Sequence, residues 1–433
     1  MKIKSLLTAG LVFIFLFTGC SSDEDAVVFQ DVSYETDFNP VISELESINI
    51  PIVDINVNNN KEITSKAIWE SASFSITGEF CGESDLNNLE ISIKGRGNSS
   101  WNLPKKPYSI KLSSKEKILG MKKSKRWVLI ANYSDKTLLR NYFFSRLGND
   151  LYNTTWNPQF KSVNLIVNGK YRGVYLLGEQ IRIDSNRVNI SDISDSNDGG
   201  FIFEINNKLD ELYNFITKHF ICISLKDPDD ITPEKQNIVK NIITEAEDAL
   251  FSENFTDPVQ GYRSHFEVNS VIDWYIMNEL GKNADAADCS SIYYYYDPSD
   301  NLLHMGPNWD FDVSCGNIYT PGLDTYTDLY IRYNSKWINR MFEDPWFQEK
   351  VQQRWDNKKL SLYEYITNNL QLYADNLSLA ADYNFQKWEV LGKYIWPNCS
   401  GYENRTTYQS EVDYLIRWLK NRYEVMNECF SNS

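Results

Sequence analysis

The feature that most constrains the fold is an acidic segment, residues 283–317, in which two short strands separate two groups of aspartates. An apolar helical pattern ends at Leu280, and Gly281 just beyond it is typical of a helix C-terminus. Residues 291–296 favour a strand, the sequence DPSDN supplies a turn, and residues 302–305 can return as the partner strand. Because a hairpin brings its two ends together, we expect the aspartates on either side of it to lie close to one another.

These aspartates are the candidate metal ligands. Asp285 and Asp288 precede the hairpin, whereas Trp309, Asp310 and Asp312 follow it. Asp310 and Asp312 are two residues apart, so both carboxylates point the same way in an extended segment. Carboxylates at close range need a cation to stay ionised, and oxygen ligands favour Mg²⁺ or Ca²⁺ over zinc. The alternative from spacing alone is a solvated, aspartate-rich turn.

The N-terminus has the pattern of an export signal. Two lysines precede an apolar run, residues 6–17, and the sequence FTGC that ends at Cys20 resembles a lipobox. The run is too short for a good membrane-spanning helix, so the sequence predicts residues 1–20 as a lipoprotein signal peptide with lipidation at Cys20. The segment Ser21-Ser22-Asp23-Glu24-Asp25 resembles the acidic signal that sends some lipoproteins of Gram-negative bacteria to the outer cell surface. We therefore expect an exported lipoprotein on the outer membrane.

Composition limits the partners. The chain has a net charge of −16 and a pI near 4.8, which argues against binding to nucleic acid or to an anionic membrane surface. Membrane association is therefore expected through the lipid anchor only. Six cysteines other than Cys20 are present, and Cys289 and Cys315 flank the acidic hairpin at its open end. A disulfide between them is one hypothesis, and buried free thiols are the alternative.

A candidate phosphate-binding region covers residues 91–112, with the sequence ISIKGRGNSSWNLPKKPYSIKL. It has the pattern of two strands joined by a glycine-containing loop, in which backbone amides can approach a phosphate. Arg96, Lys105, Lys106 and Lys111 supply positive charge. The sequence matches neither a P-loop nor the glycine-rich loop of ordinary protein kinases. The alternative is an edge hairpin with solvated lysines.

A second hairpin is predicted from residues 163–167 and 171–177, because the turn Asn168-Gly169 between them favours type I′ geometry. Glu179 follows this hairpin directly. Its carboxylate could pair with a catalytic lysine, or it could be an ordinary exposed residue.

The rest of the pattern predicts an α+β fold. Residues 21–46 are predicted to be a tether and residues 47–325 a domain of mixed helices and strands. Thr232 and Pro233 mark the start of a helix in that domain. Residues 326–433 are predicted to form a helical C-terminal subdomain that packs on it, with its aromatic residues in the core.

Several segments together resemble the CotH family, named for the spore coat protein H kinases. They are GRGNSSW with PKKPYSIKL, WVLIANYSDKTLLRN, VNGKYRGVYLLGEQI, GGFIFEI, the loop NELGKNADA, and GPNWDFDVSCGN. They occur in the family's order and span roughly residues 48–320. The resemblance implies an atypical protein-kinase-like fold that uses ATP and Mg²⁺ to phosphorylate serine or threonine of a protein, or of itself.

The resemblance also implies roles for individual residues. Asp285 corresponds to the catalytic aspartate, although Asp288 is close enough in sequence to leave the assignment open. Asp310 corresponds to the metal ligand, with Asp312 as support. A lysine, Lys106 or Lys111, is expected to pair with Glu179. The residues implied in holding the nucleotide are Arg96, Asn98, Lys106, Lys111, Glu179 and Trp309.

Three functional hypotheses follow. The first is a CotH-like kinase that acts on a protein substrate. The second is a cell-surface binding or adhesion lipoprotein that keeps the fold without turnover, because an exported protein has little access to ATP. The third is a loop stabilised by Ca²⁺, for which metal but not nucleotide would raise stability.

Overall fold

The computed structural model describes residues 33–78 and 86–431. The predicted signal peptide and Cys20 lie outside these residues. The described residues belong to one compact unit. Helices make up 36% and strands 24% of the structure, which confirms the α+β class. The division into an α+β domain and a helical subdomain at residue 325 stays a prediction. Within the described part of the chain, no helix has both the length and the apolar character needed to span a bilayer.

The N-terminal half is a closed β-barrel of seven strands. They are β1 (Ile52–Val57), β2 (Glu70–Thr77), β3 (Leu86–Gly95), β4 (Tyr108–Ile118), β5 (Met121–Ile130), β6 (Phe160–Val167) and β7 (Lys170–Glu179). Their order is β1-β2-β3-β4-β5-β7-β6, and the parallel pairing of β1 with β6 closes the barrel.

Alternation of side chains separates the inside of the barrel from its outside. Ile93, Ile110 and Trp127 are aligned across β3, β4 and β5, and all three are fully buried. The next row across the same strands consists of Lys94, Ser109 and Val128. Because successive residues in a strand point to opposite faces, this second row lies on the outer face.

A six-stranded sheet follows the barrel along the chain. Its strands are β8 (Phe201–Ile205), β9 (Asn214–Ile216), β10 (Cys222–Asp227), β11 (Phe266–Glu267), β12 (Ile292–Asp297) and β13 (Leu302–Met305). Their order in the sheet is β11-β13-β12-β8-β10-β9. Strands β12 and β13 are antiparallel, so the hairpin predicted in the acidic segment is confirmed.

Helices surround the sheet and form the C-terminal region. They are α1 (Ile42–Glu46), α2 (Ser99–Asn102), α3 (Arg140–Asp150), α4 (Pro233–Phe251), α5 (Val268–Gly281), α6 (Ile331–Asn334), α7 (Lys336–Met341), α8 (Pro345–Lys387) and α9 (Tyr408–Ser431). The hydroxyl of Thr232 accepts a hydrogen bond from the Lys235 amide, which confirms the predicted cap of α4.

The end of α5 differs from the prediction by one residue. Gly281 lies inside the helix, and Lys282 adopts the left-handed conformation with φ of 43°. A side chain at Gly281 would crowd Phe144 at 3.1 Å and Ser314 at 3.3 Å. Glycine therefore permits close packing at this position, and the left-handed turn falls on Lys282 instead.

The Asn-Gly hairpin is confirmed. Asn168 and Gly169 have φ of 51° and 72°, as a type I′ turn between β6 and β7 requires.

The segment predicted as a tether is part of the folded body where it is described. The Thr36 amide donates to the Lys387 carbonyl at 2.9 Å, and Glu35 forms an ion pair of 3.1 Å with the Lys387 ammonium. Leu45 is fully buried. The prediction of a tether is therefore wrong for residues 33–46, since these contacts fix the segment to the end of α8.

Lys105 joins the barrel to the long helix α8. Its ammonium donates to the Val174 carbonyl at 2.6 Å and to the Asn384 side chain at 2.8 Å, and the residue is 1% exposed. The sequence analysis counted Lys105 among the charges available to a phosphate. The structure shows a structural lysine instead.

Candidate functional site

The hairpin β12–β13 brings three of the predicted aspartates together. Burial raises the pKa of Asp285 to about 7, and the charge of Asp310 adds to the effect. Burial and the neighbouring Asp310 raise the pKa of Asp312 well above its ordinary value, and the two side chains share a hydrogen bond. The predicted proximity of the residues before and after the hairpin is therefore confirmed for Asp285, Asp310 and Asp312.

The three carboxylates are near one another without forming a preassembled cage. In the part of the chain that the structure describes, three ligand atoms within 4.8 Å of one another occur at Asp297, Asp300 and His304, on the turn of the hairpin, and not at the three aspartates. Asp310 and Asp312 thus form a hydrogen-bonded pair, and Asp285 lies near this pair.

Asp288 forms hydrogen bonds at the start of α7. Its carboxylate accepts hydrogen bonds from the Ser335 hydroxyl at 2.9 Å and from the Lys336 amide at 2.8 Å. Lys336 is the first residue of α7, so Asp288 satisfies an otherwise free amide at a helix N-terminus. Of the two aspartates before the hairpin, Asp285 is the one whose pKa is raised by the charge of Asp310.

Neighbouring side chains fix the conformation of Asp310. Asp310 has φ of 64°, a left-handed conformation that is uncommon for a residue with a side chain. The Asn283 amide group donates to the Asp310 carbonyl at 3.0 Å, and the Ser291 hydroxyl donates to its carboxylate at 3.2 Å. The amide of Phe311 donates to the Asn141 side chain at 2.8 Å. Backbone in a sparsely populated region that is held by several contacts is frequent at functional sites.

A buried ion pair anchors the loop that follows. Arg140 and Asp135 are 2.6 Å apart, and both side chains are at most 2% exposed. The same guanidinium donates to the carbonyls of Ser314 at 3.0 Å and Cys315 at 3.3 Å. The segment SDKTLLRN thus positions the segment NWDFDVSCGN, although the two are far apart in sequence.

Arg96 lies on the basic side of the site. Its guanidinium is 5.4 Å from the centre of the Trp309 ring. Burial lowers the pKa of Arg96, whereas the neighbouring Tyr293, Asp310 and Glu204 raise it. The structure therefore brings together Arg96, Trp309 and Asp310, as the sequence analysis expected for residues of one site.

Sequence analysis missed an ion pair beside Arg96. The Lys226 ammonium is 3.0 Å from the Glu204 carboxylate, and Glu204 also accepts the Ser291 amide at 2.8 Å. Lys226 contacts Glu211 as well. Burial opposes the charge of Lys226, but Tyr293, Glu204 and Glu211 together raise its pKa. Glu204 lies in the segment GGFIFEI, but its partner on β10 is evident only once the two strands are paired.

The predicted pairing of Glu179 with Lys106 or Lys111 is wrong. The carboxylate of Glu179 is 2.7 Å from Arg187 and accepts the Gln159 amide at 3.0 Å. Lys111 is exposed on the outside of the barrel, opposite Ser92 and Arg126. These positions follow from the register of β5 with β7, which aligns Glu179 with Trp127, away from β4.

Lys106 and Asn98 lie elsewhere. The Lys106 ammonium donates to the Trp101 carbonyl at 2.7 Å. Lys106 lines a cavity of about 340 Å³ at the mouth of the barrel, together with Tyr108 and Tyr175. Asn98 is exposed at the start of α2. The nucleotide-binding roles of Asn98, Lys106 and Lys111 stay predictions.

The hypothesis of a disulfide between Cys289 and Cys315 is also wrong. Cys289 is disulfide-bonded, whereas Cys315 is a free and fully buried thiol. Burial raises the pKa of Cys315 to about 12. The Cys315 amide donates to the Gly281 carbonyl at 2.7 Å, which fixes Cys315 beneath the end of α5.

The fold and site define an α+β protein with a β-barrel and a second sheet. Its candidate site combines the cations Arg96 and Lys226 with the carboxyl groups of Asp285, Asp310 and Asp312. The family model described as CotH kinase protein matches residues 93–426, and the chain belongs to this family. The match includes all the residues of the site described above. No curated protein matches the chain significantly.

Proposed function

We propose that this protein is an atypical protein kinase that transfers the γ-phosphoryl group of ATP to serine or threonine of a protein, or of itself, with Mg²⁺. The observation that carries the proposal is the placement of Asp285 and the pair Asp310 and Asp312 opposite Arg96 and Lys226. Phosphoryl transfer needs a metal, cations at the phosphate oxygens and a carboxylate near the acceptor hydroxyl. Asp310 and Asp312 could hold the metal, Arg96 and Lys226 would supply the cations, and Asp285 would supply the carboxylate.

The residues fit a divalent cation. Asp310 and Asp312 offer oxygen ligands only, which suits Mg²⁺. Burial and the neighbouring Asp310 raise the pKa of Asp312, so a divalent cation between the two carboxyl groups would favour their ionised forms. Mg²⁺ bound there would neutralise charge on the phosphate oxygens of ATP. Asp310 and Asp312 are the residues that would hold it.

The remaining roles follow from charge and position. Arg96 and Lys226 would bind the phosphates, and Glu204 would hold Lys226 in place. Trp309 has a ring on which adenine could stack, beside the guanidinium of Arg96. Asp285 would accept the proton of the acceptor hydroxyl while the oxygen of that hydroxyl bonds to the γ-phosphorus. The bond from the γ-phosphorus to the bridging oxygen then breaks, and ADP leaves.

The kinase-like architecture belongs to the same proposal. The barrel would be the counterpart of the nucleotide-covering lobe of a kinase, and the sheet β8–β13 with its helices the counterpart of the catalytic lobe. We also propose that the protein is exported and anchored through lipidated Cys20 in the outer membrane, exposed at the cell surface. Labelling of cells with a fatty-acid analogue tests the anchor, since Cys20→Ala should remove the label and release the protein from membranes.

Thermal melting of the chain without residues 1–20 tests the nucleotide site. A ligand that binds only the folded state raises its stability by RT ln(1 + [L]/Kd). We expect a shift that needs ATP and Mg²⁺ together and that is absent in Asp310→Ala. A shift with Mg²⁺ or Ca²⁺ that nucleotide does not change would instead support a metal-stabilised loop. The absence of any effect of saturating ATP would favour the surface binding lipoprotein.

A further inference from the structure

The hairpin formed by β4 and β5 carries a charge opposite to that of the whole protein. The chain has a net charge of −16, yet residues 108–130 contain one acidic residue, Glu116, and seven cationic ones. The cationic residues are Lys111, Lys115, Lys117, Lys122, Lys123, Lys125 and Arg126. We call β4, β5 and the turn between them the basic hairpin.

Among the described residues, one of the six lysines of the basic hairpin forms an ion pair. All six lysines of the basic hairpin are exposed. Lys115 forms an ion pair of 2.5 Å with Asp184. The side chains of the other five make no ion pair within residues 33–78 and 86–431. An exposed cationic surface of this kind attracts anions over roughly a Debye length, about 8 Å at physiological salt.

Like charges also face each other across the strands. Lys111 is directly opposite Arg126 in the register of β4 and β5. Lys94 and Arg126 both lie over the Trp69 ring, 4.9 and 5.3 Å from its centre. Burial lowers the pKa of Lys94, and the charge of Arg126 lowers it further. Like charges directly opposite destabilise a sheet, and the nearby carboxylates of Glu211, Asp227 and Asp229 offset part of this repulsion at Lys94 and Arg126.

The basic hairpin is continuous with the proposed active site. Lys94 lies two residues before Arg96 and in the same cross-strand row as Ser109 and Val128. Val128 packs in the same small cluster as Trp309. The outer face of the barrel therefore leads from the exposed lysines through Lys94 to the side chains opposite Asp310.

We propose that the basic hairpin is the docking surface for an acidic segment of the acceptor protein. The substrate class would then be proteins with serine or threonine near runs of aspartate or glutamate. Side chains on one face of an extended chain repeat every ~6.8 Å, in the acidic segment as in β4 and β5. Carboxylates on one face of the segment can therefore meet lysines that are two residues apart in a strand, such as Lys123 and Lys125. A role of the basic hairpin in phosphorylation rests on the proposed kinase function, but binding of an acidic segment does not.

Fluorescence anisotropy with a labelled peptide tests the docking. The probe is a heptapeptide of six glutamates around one serine, and the comparison is the same peptide with glutamines. The protein lacks residues 1–20, and no ATP is added. We expect the glutamate peptide alone to bind, and to bind more weakly as salt rises. Lys122→Glu/Lys123→Glu/Lys125→Glu should weaken binding about tenfold or more.

Matched variants separate docking from changes in total charge. The control variant Lys170→Glu/Lys218→Glu/Lys240→Glu replaces three exposed lysines outside the basic hairpin. It changes the net charge by the same amount and should bind the glutamate peptide as the unaltered protein does. The three arginine substitutions at 122, 123 and 125 should also retain binding. Melting curves of every variant establish that it is folded.

Three results would overturn the docking surface. The first is that both charge-reversed triple variants lose binding equally. The second is that the glutamine peptide binds as well as the glutamate peptide. The third is that vesicles with anionic lipid bind through the basic hairpin whereas the peptide does not. The last result would identify a membrane as the partner. Turnover of ATP without acceptor is measured in parallel, and reversal of the basic hairpin should leave it unchanged. If the peptide binds but ATP is not turned over, only the kinase function is refuted. If ATP is turned over but the peptide does not bind, only the docking surface is refuted.

Discussion

The ammonium of Lys226 on β10 lies 3.0 Å from the carboxylate of Glu204 on β8, at the side of the sheet that faces Arg96. Under the proposed function, this pair would take the role that the sequence analysis gave to Glu179 and either Lys106 or Lys111. A buried carboxylate that holds a lysine beside the phosphate site would orient the lysine for its contact with ATP.

Loss of Lys226 should therefore impair phosphoryl transfer. We expect Lys226→Met to reduce the transfer rate about 100-fold, a typical effect of removing one electrostatic contact to the transition state. Lys226→Arg should retain part of the rate because it keeps the charge. Rates with γ-labelled ATP measure the effect. Lys111→Met is the comparison, and a larger loss there than in Lys226→Met would return the role to β4.

Stabilisation by ATP and Mg²⁺ should distinguish the role of Asp310 from that of Asp288. Chelation of Mg²⁺ should abolish stabilisation by ATP, and Asp310→Asn should do the same in the presence of Mg²⁺. Asp288→Asn should instead lower the free energy of unfolding by about 1 kcal/mol, because it weakens a helix cap. Its stabilisation by ATP and Mg²⁺ should persist. Melting curves with and without ligand measure both effects. A shift with ATP and Mg²⁺ that survives in Asp310→Asn would contradict the assignment.

The stability of the metal-free protein should fall as pH rises from about 4 to about 7. The pKa of Asp285 is 3.8 in its ordinary state and about 7 in the folded protein. Between these values the folded state keeps a proton that the unfolded state has lost, so each rise in pH favours unfolding. Above pH 7 this contribution no longer changes. Asp312 acts in the same direction.

Denaturant titrations at several pH values measure this dependence. Asp285→Asn removes one titrating group and should give a shallower decline than the unaltered protein. Parallel curves for the two proteins would show that Asp285 has an ordinary pKa in the folded state.

Breaking the ion pair of Arg140 and Asp135 should destabilise the protein and loosen the segment that carries Asp310 and Asp312. Removal of one partner leaves the other charged and buried, which costs about 3–5 kcal/mol. Asp135→Asn should therefore lower the free energy of unfolding and also weaken stabilisation by ATP and Mg²⁺. Asp135→Asn combined with Arg140→Met should recover part of the stability. Additive losses in the double variant, seen by urea denaturation, would contradict a direct interaction.

The disulfide is accessible to a direct check. Cys289→Ala should remove the bridge and Cys315→Ala should leave it intact. Alkylation of unfolded, unreduced protein followed by mass spectrometry counts the free thiols of each variant. Retention of the bridge in Cys289→Ala would contradict the structure.

Sequence reasoning succeeded where the signal is local. The turn Asn168-Gly169, the cap at Thr232 and the hairpin between the aspartates depend on residues close together in the chain. For the same reason, the pairing of residues across the hairpin β12–β13 could be predicted, and with it the proximity of Asp285 and Asp310.

The errors concern contacts between distant segments. The partner of Glu179 depends on the register of β5 with β7, and the partner of Glu204 depends on β10, which follows 17 residues after β8. Asp285 and Asp288 are indistinguishable by spacing, and only the contact of Asp288 with α7 separates them. The parallel pairing of β1 with β6, which closes the barrel, has no local signal at all.

Transfer of phosphate tests the central claim most directly. The chain without residues 1–20 is incubated with γ-labelled ATP and Mg²⁺, alone and with an acidic serine-containing protein, beside Asp285→Asn. We expect label on the acceptor or on the chain itself, released by phosphatase and nearly absent in Asp285→Asn. Binding of ATP and Mg²⁺ without any labelled protein, or equal labelling in Asp285→Asn, would contradict the account.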